Sequence, residues 1–357
     1  MNLPRLISLA VAVPPQVVYQ DAVKQFARGL FSATIGSDER LLDVFDNAEI
    51  DERHLCVSLE WLAEEHTFAE KNNLYIEHGL ELATAVASDA LTRAGLSARD
   101  VDHLVFVSST GLATPGLDAM LANRLGFRPD FRRTPIWGLG CAGGAAGISR
   151  ARDFALADPS ARVLVIALEL CSLTFQRDDM SKKNLVAASL FADGAAAAVV
   201  TCGPASAGNA SVELLASHSV LWPGTLDVMG WTVDGQGLHV VFSRDIPAIV
   251  HEKVRPSLSG FLATQHLRLQ DVDHLVAHPG GVKVLHAYAN ALDVSPQRFA
   301  HARDVLRRYG NMSSPSCLFV LERFLRCGEI APGQHAVVTA LGPGFSAEYV
   351  LLRGARA

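Results

Sequence analysis

Residues 100–105 read Asp-Val-Asp-His-Leu-Val, and residues 271–276 repeat them letter for letter, nearly half of the 357-residue chain later. An amphipathic helical pattern precedes each copy, over about Tyr75–Ala94 and about Ile249–Leu267. A short apolar run follows each copy. A six-letter match alone could arise by chance, but the shared order of helix, repeat and strand predicts that one α/β unit occurs twice.

Two pairs of short apolar runs support this duplication. They are Leu104–Ser108 with Leu275–Ala277, and Arg162–Leu168 with His335–Leu341. The second pair is separated by nearly the same offset as the first. Short continuous apolar runs are typical of central strands that helices cover on both faces. The sequence therefore predicts a layered α/β fold built from two duplicated halves.

The chain is expected to divide into residues 1–205 and 206–357, joined by the small, turn-rich segment Gly203–Gly208. The acidic region Asp38–Glu70 is predicted to be a mainly helical elaboration of the first half. The apolar run Leu6–Val13 ends at two prolines and lacks a small-residue cleavage site. It is therefore predicted to be the first strand rather than a signal peptide.

Composition excludes several classes of protein. Hydrophobic residues make up 49% of the chain and charged residues 19%, which excludes a disordered protein. A net charge of −6, without a long basic run, argues against a nucleic-acid partner. No stretch of about 18 apolar residues is free of charges and turns, so we expect a cytoplasmic protein without a membrane span. The six cysteines have neither CxxC nor zinc-ligand spacing, and we expect reduced thiols.

The segment from Trp137 to Gly147 (WGLGCAGGAAG) places one cysteine, Cys141, among small residues at the start of a helix predicted to continue to Ala157. The glycines before it allow a tight strand-to-helix turn. A helix N-terminus lowers the pKa of a thiol and favours the reactive thiolate. Cys141 is thus a candidate nucleophile. The alternative is a buried structural cysteine in a glycine- and alanine-rich helix.

Three further turns follow apolar elements. His278 lies between an apolar run and Pro-Gly-Gly, at the strand end where α/β active sites form. Asn311 lies in a turn before a helix predicted over Cys317–Leu325, and a plain N-cap is the alternative interpretation. Gly344 belongs to a Gly-Pro-Gly loop after the last apolar run. This loop is predicted to be rigid and to bring backbone close to a ligand, and a simple turn is the alternative.

These features together fit one reaction. Cys141 can carry an acyl group as a thioester, and His278 can hold the thiolate as an ion pair. His278 and Asn311 can supply N–H donors to a thioester carbonyl that becomes an enolate. This is decarboxylative carbon–carbon bond formation, which needs no metal and no redox cofactor.

The chain resembles a type III polyketide synthase, of the chalcone-synthase-like branch of the thiolase superfamily, over essentially its whole length. The matching segments keep the family's order and approximate spacing: GCAGG around Cys141, LFADGAAA around Phe191, AHPGG around His278, GNMSS around Asn311 and GPGF around Gly344. The resemblance implies a Cys-His-Asn triad and a thiolase-like five-layered αβαβα fold. It also implies a homodimer, CoA thioester substrates and no further cofactor.

The resemblance also implies roles for cavity residues. Phe191 corresponds to the family's gatekeeper aromatic, which steers the malonyl carboxylate into apolar surroundings. Cys171 and Thr174 fall in the segment that lines the elongation cavity, and Ser313 falls beside Asn311 on its wall. The loop Gly111–Gly116, with Thr114 at its tip, corresponds to a loop that crosses the dimer interface.

The chain departs from the plant members of this family. A second gatekeeper aromatic would fall at Val240, although a shifted alignment would place Phe242 there. The basic cluster that grips CoA phosphates is reduced to Arg40, so contacts through Lys283 or Arg244 are the alternatives. These departures indicate a bacterial member of the family.

Val240 and Cys171 widen the predicted cavity or make it apolar. This favours a medium- or long-chain fatty acyl-CoA starter and an alkyl pyrone or alkylresorcinol product. A starter that is malonyl-CoA alone, or an aromatic acyl-CoA, is the first alternative. A ketoacyl synthase III-type enzyme that performs a single condensation is the second. A non-catalytic partner subunit is the third, and the intact Cys141, His278 and Asn311 speak against it.

Overall fold

The computed structural model describes residues 3–203 and 211–355, and the elements named here are those of these residues. The strands are β1 (Arg5–Ala12), β2 (Gln16–Tyr19), β3 (Glu52–Leu55), β4 (His103–Val107), β5 (Arg132–Ile136), β6 (Arg162–Leu170), β7 (Asp193–Thr201), β8 (Val212–Leu221), β9 (Met229–Asp234), β10 (Gly237–Phe242), β11 (His274–Ala277), β12 (His335–Gly342) and β13 (Ser346–Gly354).

The α-helices are α1 (Gln20–Leu30), α2 (Ser32–Ile35), α3 (Asp43–Asp46), α4 (Leu59–Ala63), α5 (Phe68–Ala94), α6 (Leu117–Leu125), α7 (Gly143–Ala157), α8 (Lys182–Leu190), α9 (Ile246–Thr264), α10 (Val282–Leu292), α11 (Ala300–Tyr309) and α12 (Ser316–Arg326). No described helix combines the length and apolarity needed to cross a membrane. Within the same residues, no group of His, Cys, Asp and Glu side chains could hold a metal ion.

The strand order confirms the predicted duplication. The main sheet of the described residues runs β11-β12-β13-β8-β1-β7-β6-β4-β5. In the first half β4 is parallel to β6, and β6-β7-β1 are antiparallel. In the second half β11 is parallel to β12, and β12-β13-β8 are antiparallel. The two halves therefore have one topology, and they join where β1 pairs with β8.

The two copies of the hexapeptide make the same backbone hydrogen bond, one in each half. Asp102 accepts a hydrogen bond at 2.8 Å from the backbone N–H of Arg162, the first residue of β6. Asp273 accepts one at 2.8 Å from the backbone N–H of His335, the first residue of β12. Each aspartate thus sets the register of the neighbouring parallel strand. This shared requirement explains why the letters recur.

Helices form three layers around the two halves of the sheet, as the predicted αβαβα fold requires. Helix α5 packs on the outer face of β1, β6 and β7. Helices α7 and α12 contact each other and strands of both halves, so they form the central layer. On the other outer face, Ser257 of α9 hydrogen-bonds Tyr349 of β13, and Tyr288 of α10 hydrogen-bonds Thr339 of β12.

Several predicted boundaries differ from the observed ones. Helix α5 begins at Phe68 rather than Tyr75, because Thr67 and Glu70 form a capping box at its N-terminus. Helix α9 ends at Thr264, three residues before the predicted end. The region 38–70 contains short helices but also β3, which pairs with β2, so the predicted mainly helical region is only partly helical. The predicted boundary at 205/206, and residues 204–208 of the predicted connection, lie outside the described residues.

Candidate active site

Cys141 lies in a short helical turn, Gly140–Ala142, that leads directly into α7. Gly138 and Gly140 before it have φ angles of +90° and +46°, which glycine adopts without strain. A Cβ on Gly144 would collide with the backbone carbonyl of Ser314. The small residues are therefore needed to bring the N-terminus of α7 against the loop that contains Asn311.

The structure brings the three predicted triad residues to one cavity. His278 follows the last residue of β11, and Asn311 lies in the loop between α11 and α12. Cys141, His278 and Asn311 line this cavity together with the apolar residues Met229, Phe242, Ile246, Val284, Tyr288 and Leu341 and with Gly280. We call it the catalytic cavity. All three triad side chains are buried.

Hydrogen bonds fix Asn311 and the neighbouring Ser313. The Asn311 Oδ1 accepts from the Ser313 backbone N–H at 2.8 Å, and its Nδ2 donates to the Gly280 carbonyl at 3.3 Å. The Ser313 hydroxyl accepts from the Cys141 thiol at an Sγ–Oγ distance of 3.6 Å. The orientation of the Asn311 amide is thus set by backbone on both sides.

Cys141 and His278, which are predicted to form a thiolate–imidazolium ion pair, are not joined by a hydrogen bond in this structure. Neither ring nitrogen of His278 has a hydrogen-bond partner among the described residues. Burial raises the pKa of Cys141 to about 11, against the contacts with Ser313 and Asn311 that lower it. Burial lowers the pKa of His278 to about 3. Desolvation therefore shifts both pKa values in the direction that favours the neutral thiol and the neutral imidazole.

Two further cavities continue from Cys141 away from His278. The middle cavity is lined by Cys141, Cys171, Phe191, Met229, Trp231, Val240, Val241, Phe242 and Ser313, with Ser109, Gly140, Gly230 and Pro343. The distal cavity shares Cys171, Phe191, Trp231 and Val240 with the middle one, and also contains Thr174. It extends to the apolar side chains Val23, Phe26, Leu55, Leu59, Leu62 and Phe175. The two cavities adjoin at these shared residues, and we call them together the apolar path.

The two residues considered for a second aromatic position lie on the same strand, β10. Phe242 lines the catalytic cavity with Cys141 and His278, whereas Val240 lines the middle and distal cavities. Residues two apart on a strand face the same side, so both alignments put a side chain into the path. Phe242 lines both cavities that contain Cys141, whereas Val240 lines only the middle one of these two. Trp231, paired with Val240 across the hairpin, was not predicted as a site residue.

Gly344 and Thr114 do not line these cavities. Gly344 has a φ of +131° in the loop after β12, and its neighbour Pro343 is the residue that reaches the middle cavity. A Cβ on Gly342 would collide with the Leu139 carbonyl, so this loop packs directly on the turn before Cys141. Thr114 is exposed at the surface.

The three predicted CoA-binding cations lie at the surface. The Arg40 side chain is 85% exposed and pairs with Asp38 at 2.8 Å. Lys283 and Arg244 are also exposed. None of the three lines the catalytic, middle or distal cavity. Their proposed contacts with CoA stay a prediction.

A buried carboxyl group beside the triad, Glu169, had no predicted role. It accepts hydrogen bonds from the Ser109 backbone N–H at 2.9 Å and from the Thr110 and Ser314 hydroxyls at 2.9 and 2.8 Å. Burial raises its pKa to about 7 despite these donors. Its charge, when present, raises the pKa of Cys141. Glu169 thus ties β6 to the loop of Ser313 and Ser314.

Glu169 should make the stability of the fold depend on pH. A carboxyl whose pKa rises from 4.5 to about 7 on folding stabilises the protein below pH 4.5. That contribution is lost as pH rises from about 4.5 to 7, and amounts to roughly 3 kcal/mol. Glu169→Gln should remove this slope when the free energy of unfolding is measured by denaturant at each pH. An equal slope in both proteins would contradict the assignment.

Comparisons with known proteins agree with this geometry. The family model described as the N-terminal domain of chalcone and stilbene synthases matches residues 3–204, and the C-terminal model matches residues 213–356. A putative chalcone synthase of Bacillus subtilis is 41% identical, covering 97% of each chain. A 1,3,6,8-tetrahydroxynaphthalene synthase of Streptomyces peucetius is 40% identical, covering 96% of this chain and 91% of its own. The crystal structure of such a synthase from Streptomyces coelicolor, a bacterial type III polyketide synthase, matches with a TM-score of 0.92 and 32% identity, covering 99% of each chain.

Proposed function

The chain belongs to the chalcone and stilbene synthase family, that is, to the type III polyketide synthases, and from this membership we propose that it extends an acyl-CoA starter with malonyl-CoA. The enzyme is an acyltransferase. The family match favours this function over a single-condensation ketoacyl synthase III and over a non-catalytic subunit. The meeting of Cys141, His278 and Asn311 in one cavity carries the proposal.

In the proposed loading step the Cys141 sulfur attacks the carbonyl carbon of the starter thioester. The new carbon–sulfur bond forms as the bond to CoA breaks, and the thiol proton leaves with the CoA sulfur. Among the described residues neither ring nitrogen of His278 has a hydrogen-bond partner, so its imidazole is available to relay this proton. The buried apolar surroundings then protect the acyl-enzyme from water.

In the proposed condensation step the malonyl thioester loses its carboxylate as carbon dioxide. The electron pair of the broken bond forms an enolate, whose oxygen accepts hydrogen bonds from His278 and from the Asn311 amide. The enolate carbon attacks the acyl carbonyl on Cys141, and the carbon–sulfur bond of the acyl-enzyme breaks. Carbon–carbon cleavage supplies the nucleophile, so the reaction uses only CoA thioesters. Phe191 and Phe242 supply apolar faces beside the leaving carboxylate.

The apolar path supports a medium- or long-chain fatty acyl starter. Beyond Cys171 the distal cavity is lined mainly by aliphatic and aromatic side chains. Each methylene buried there contributes about 0.8 kcal/mol, so longer chains bind better until the path ends. The proposed products are alkyl pyrones or alkylresorcinols. The protein is proposed to act in the cytoplasm.

A starter of malonyl-CoA alone is the second candidate, because two of the similar proteins are named tetrahydroxynaphthalene synthases. One experiment separates the candidates: incubation with malonyl-CoA alone, and with malonyl-CoA plus a series of acyl-CoA starters, followed by mass spectrometry of the products. We expect products that carry the starter chain. A single naphthalene product in every incubation would support the second candidate and contradict the first.

Cys171→Phe should shorten the longest accepted starter by several carbons. Cys171 lines both the middle and the distal cavity, so a phenyl ring there would block the passage between them. The measurement is the product profile over the starter series. Cys327→Phe makes the same chemical change at an exposed position and serves as the control. An unchanged chain-length profile in Cys171→Phe would show that the acyl chain does not follow this path.

We propose that the protein is a homodimer in which the loop of Thr114 meets the partner. This loop carries Leu112, which is 43% exposed, and the neighbouring Trp137 is 49% exposed and donates to the Gly111 carbonyl. Obligate dimers usually bury more than about 2,000 Å². Light scattering should give the mass of a dimer, and Trp137→Asp should weaken it. A fully active monomer would contradict this assembly.

A further inference from the structure

A buried arginine, Arg53, binds the backbone of Phe191, the proposed gatekeeper. Arg53 of β3 is only 1% exposed. Its Nη1 donates to the carbonyls of Ala188 at 2.8 Å and Phe191 at 2.9 Å. Its Nη2 donates to the Ser189 carbonyl at 2.7 Å and to the side-chain oxygen of Gln20. One guanidinium thus binds three carbonyls at the C-terminal end of α8.

The same end of α8 is bonded to the backbone of the triad asparagine. The Asn311 N–H donates to the Leu190 carbonyl at 2.8 Å, and the Ala192 N–H donates to the Asn311 carbonyl at 2.9 Å. Gly310 has a φ of +68°, and a Cβ there would lie 3.0 Å from the Leu190 carbonyl oxygen. Leu190–Ala192 and Asn311 therefore form one rigid unit that Arg53 anchors.

Burying this cation is costly, which argues for a specific role. Burial lowers the pKa of Arg53 to about 9, so the guanidinium is still charged at neutral pH. Its bonds are to carbonyls and to an amide, and among the described residues its Nε has no partner. The negative end of the α8 dipole offsets part of the desolvation. A methionine would fill similar space at lower cost, but it could not hold three carbonyls in fixed directions.

We propose that Arg53 is a positioning residue for malonyl decarboxylation: through the end of α8 it holds the Phe191 ring and the Asn311 amide in their relative places. This inference rests on the proposed function, which gives those two groups their roles. Arg53 lines the distal cavity but neither of the cavities that contain Cys141. It therefore acts through the backbone it binds and not on the reacting atoms.

The inference predicts that substitution of Arg53 affects malonyl decarboxylation but not starter loading. Loading of a short acyl group needs Cys141 and does not use the distal cavity that Arg53 lines, so it should be unaffected. Decarboxylation needs the Phe191 ring and the Asn311 amide in their correct relative positions. A misplacement of about 1 Å can cost on the order of 10²-fold in rate. We expect Arg53→Met to lower decarboxylation by about 10- to 100-fold. Arg53→Lys keeps the charge but not the forked donors, and should recover part of that loss.

The experiment measures the two steps separately. Loading is followed by intact-protein mass after addition of acetyl-CoA, whose acyl group is too short to occupy the distal cavity, in proteins that retain Cys141. Decarboxylation is followed as carbon dioxide released from malonyl-CoA, in a Cys141→Ala background where no loading occurs. Arg152→Met is the matched control, because Arg152 also donates to two backbone carbonyls, those of Leu214 and Leu215, away from the cavities. It should leave both steps unchanged.

Four outcomes decide the matter. Decarboxylation within twofold of the parent in folded Arg53→Met would overturn the inference, and so would equal losses of loading and decarboxylation. If Arg53→Met does not fold, Arg53→Lys and Gln20→Met take its place, and normal decarboxylation in both would overturn it. A parent protein that neither loads acyl groups nor decarboxylates malonyl-CoA would instead refute the proposed function.

Discussion

Replacing Cys141 with alanine should abolish polyketide formation. Alanine has no atom that can form the acyl thioester, so chain extension loses its electrophile rather than being slowed. Two readouts check this: products by chromatography and mass spectrometry, and the mass of the intact protein after addition of a starter. The parent should gain the mass of one acyl group, and Cys141→Ala should gain none.

The matched control is Cys202→Ala, because Cys202 is buried beside α7 and donates to the Ala155 carbonyl, far along that helix from the nucleophile. It should load and extend starters like the parent. Product formed by Cys141→Ala at the parent rate would remove Cys141 from the mechanism. An acyl adduct on another cysteine would do the same and would identify the true nucleophile.

The fold could be predicted because its cause is local and repeated. Asp102 and Asp273 each bond the first residue of a neighbouring strand, so the same letters are required twice, and the duplication can be seen in one sequence. The start of α5 was also visible in principle. Thr67 and Glu70 have the spacing of a capping box, and that signal was overlooked in favour of the apolar periodicity from Tyr75 onward.

The meeting of Cys141, His278 and Asn311 was predictable because each follows a strand or precedes a helix in a distinctive turn. The ionisation states of Cys141 and His278 were not predictable in the same way. A helix N-terminus can be recognised in the sequence, but the extent of burial is a property of the whole fold. Burial decides the direction of the pKa shift for both Cys141 and His278. Both shifts oppose the predicted ion pair, which stays a prediction.

Residues that act through distant backbone were missed. Arg53 binds carbonyls more than a hundred residues later in the chain, and Glu169 accepts from Ser314 with a similar separation. Neither Arg53 nor Glu169 lies in a local sequence pattern that would identify its distant hydrogen-bond partner. The second aromatic position was uncertain for a related reason. Both Val240 and Phe242 face one side of a strand, and only the packed hairpin shows that both share a cavity with Cys141 while Phe242 alone of the two shares one with His278.

His278→Ala and Asn311→Ala should each lower decarboxylation of malonyl-CoA by about 10²–10³-fold, because each removes one N–H donor to the enolate oxygen. The two losses should not multiply in the double variant, since both donors act on the same oxygen. Asn311→Ala has an added effect, because it removes the acceptor of the Ser313 backbone N–H. Ser313 is then held less firmly, and so is its hydroxyl, which contacts Cys141. Carbon dioxide release measures the shared step, and intact-protein mass measures loading.

His286→Ala, an exposed histidine on α10, is the control for His278→Ala and should change neither step. Starter loading should distinguish the two triad variants. His278→Ala removes the proposed proton relay and should slow loading as well as decarboxylation, whereas Asn311→Ala should mainly slow decarboxylation. If either variant decarboxylates malonyl-CoA at the parent rate, that side chain does not stabilise the enolate. If both do, the enolate forms outside the catalytic cavity, and the mechanism proposed for the three residues fails as a whole.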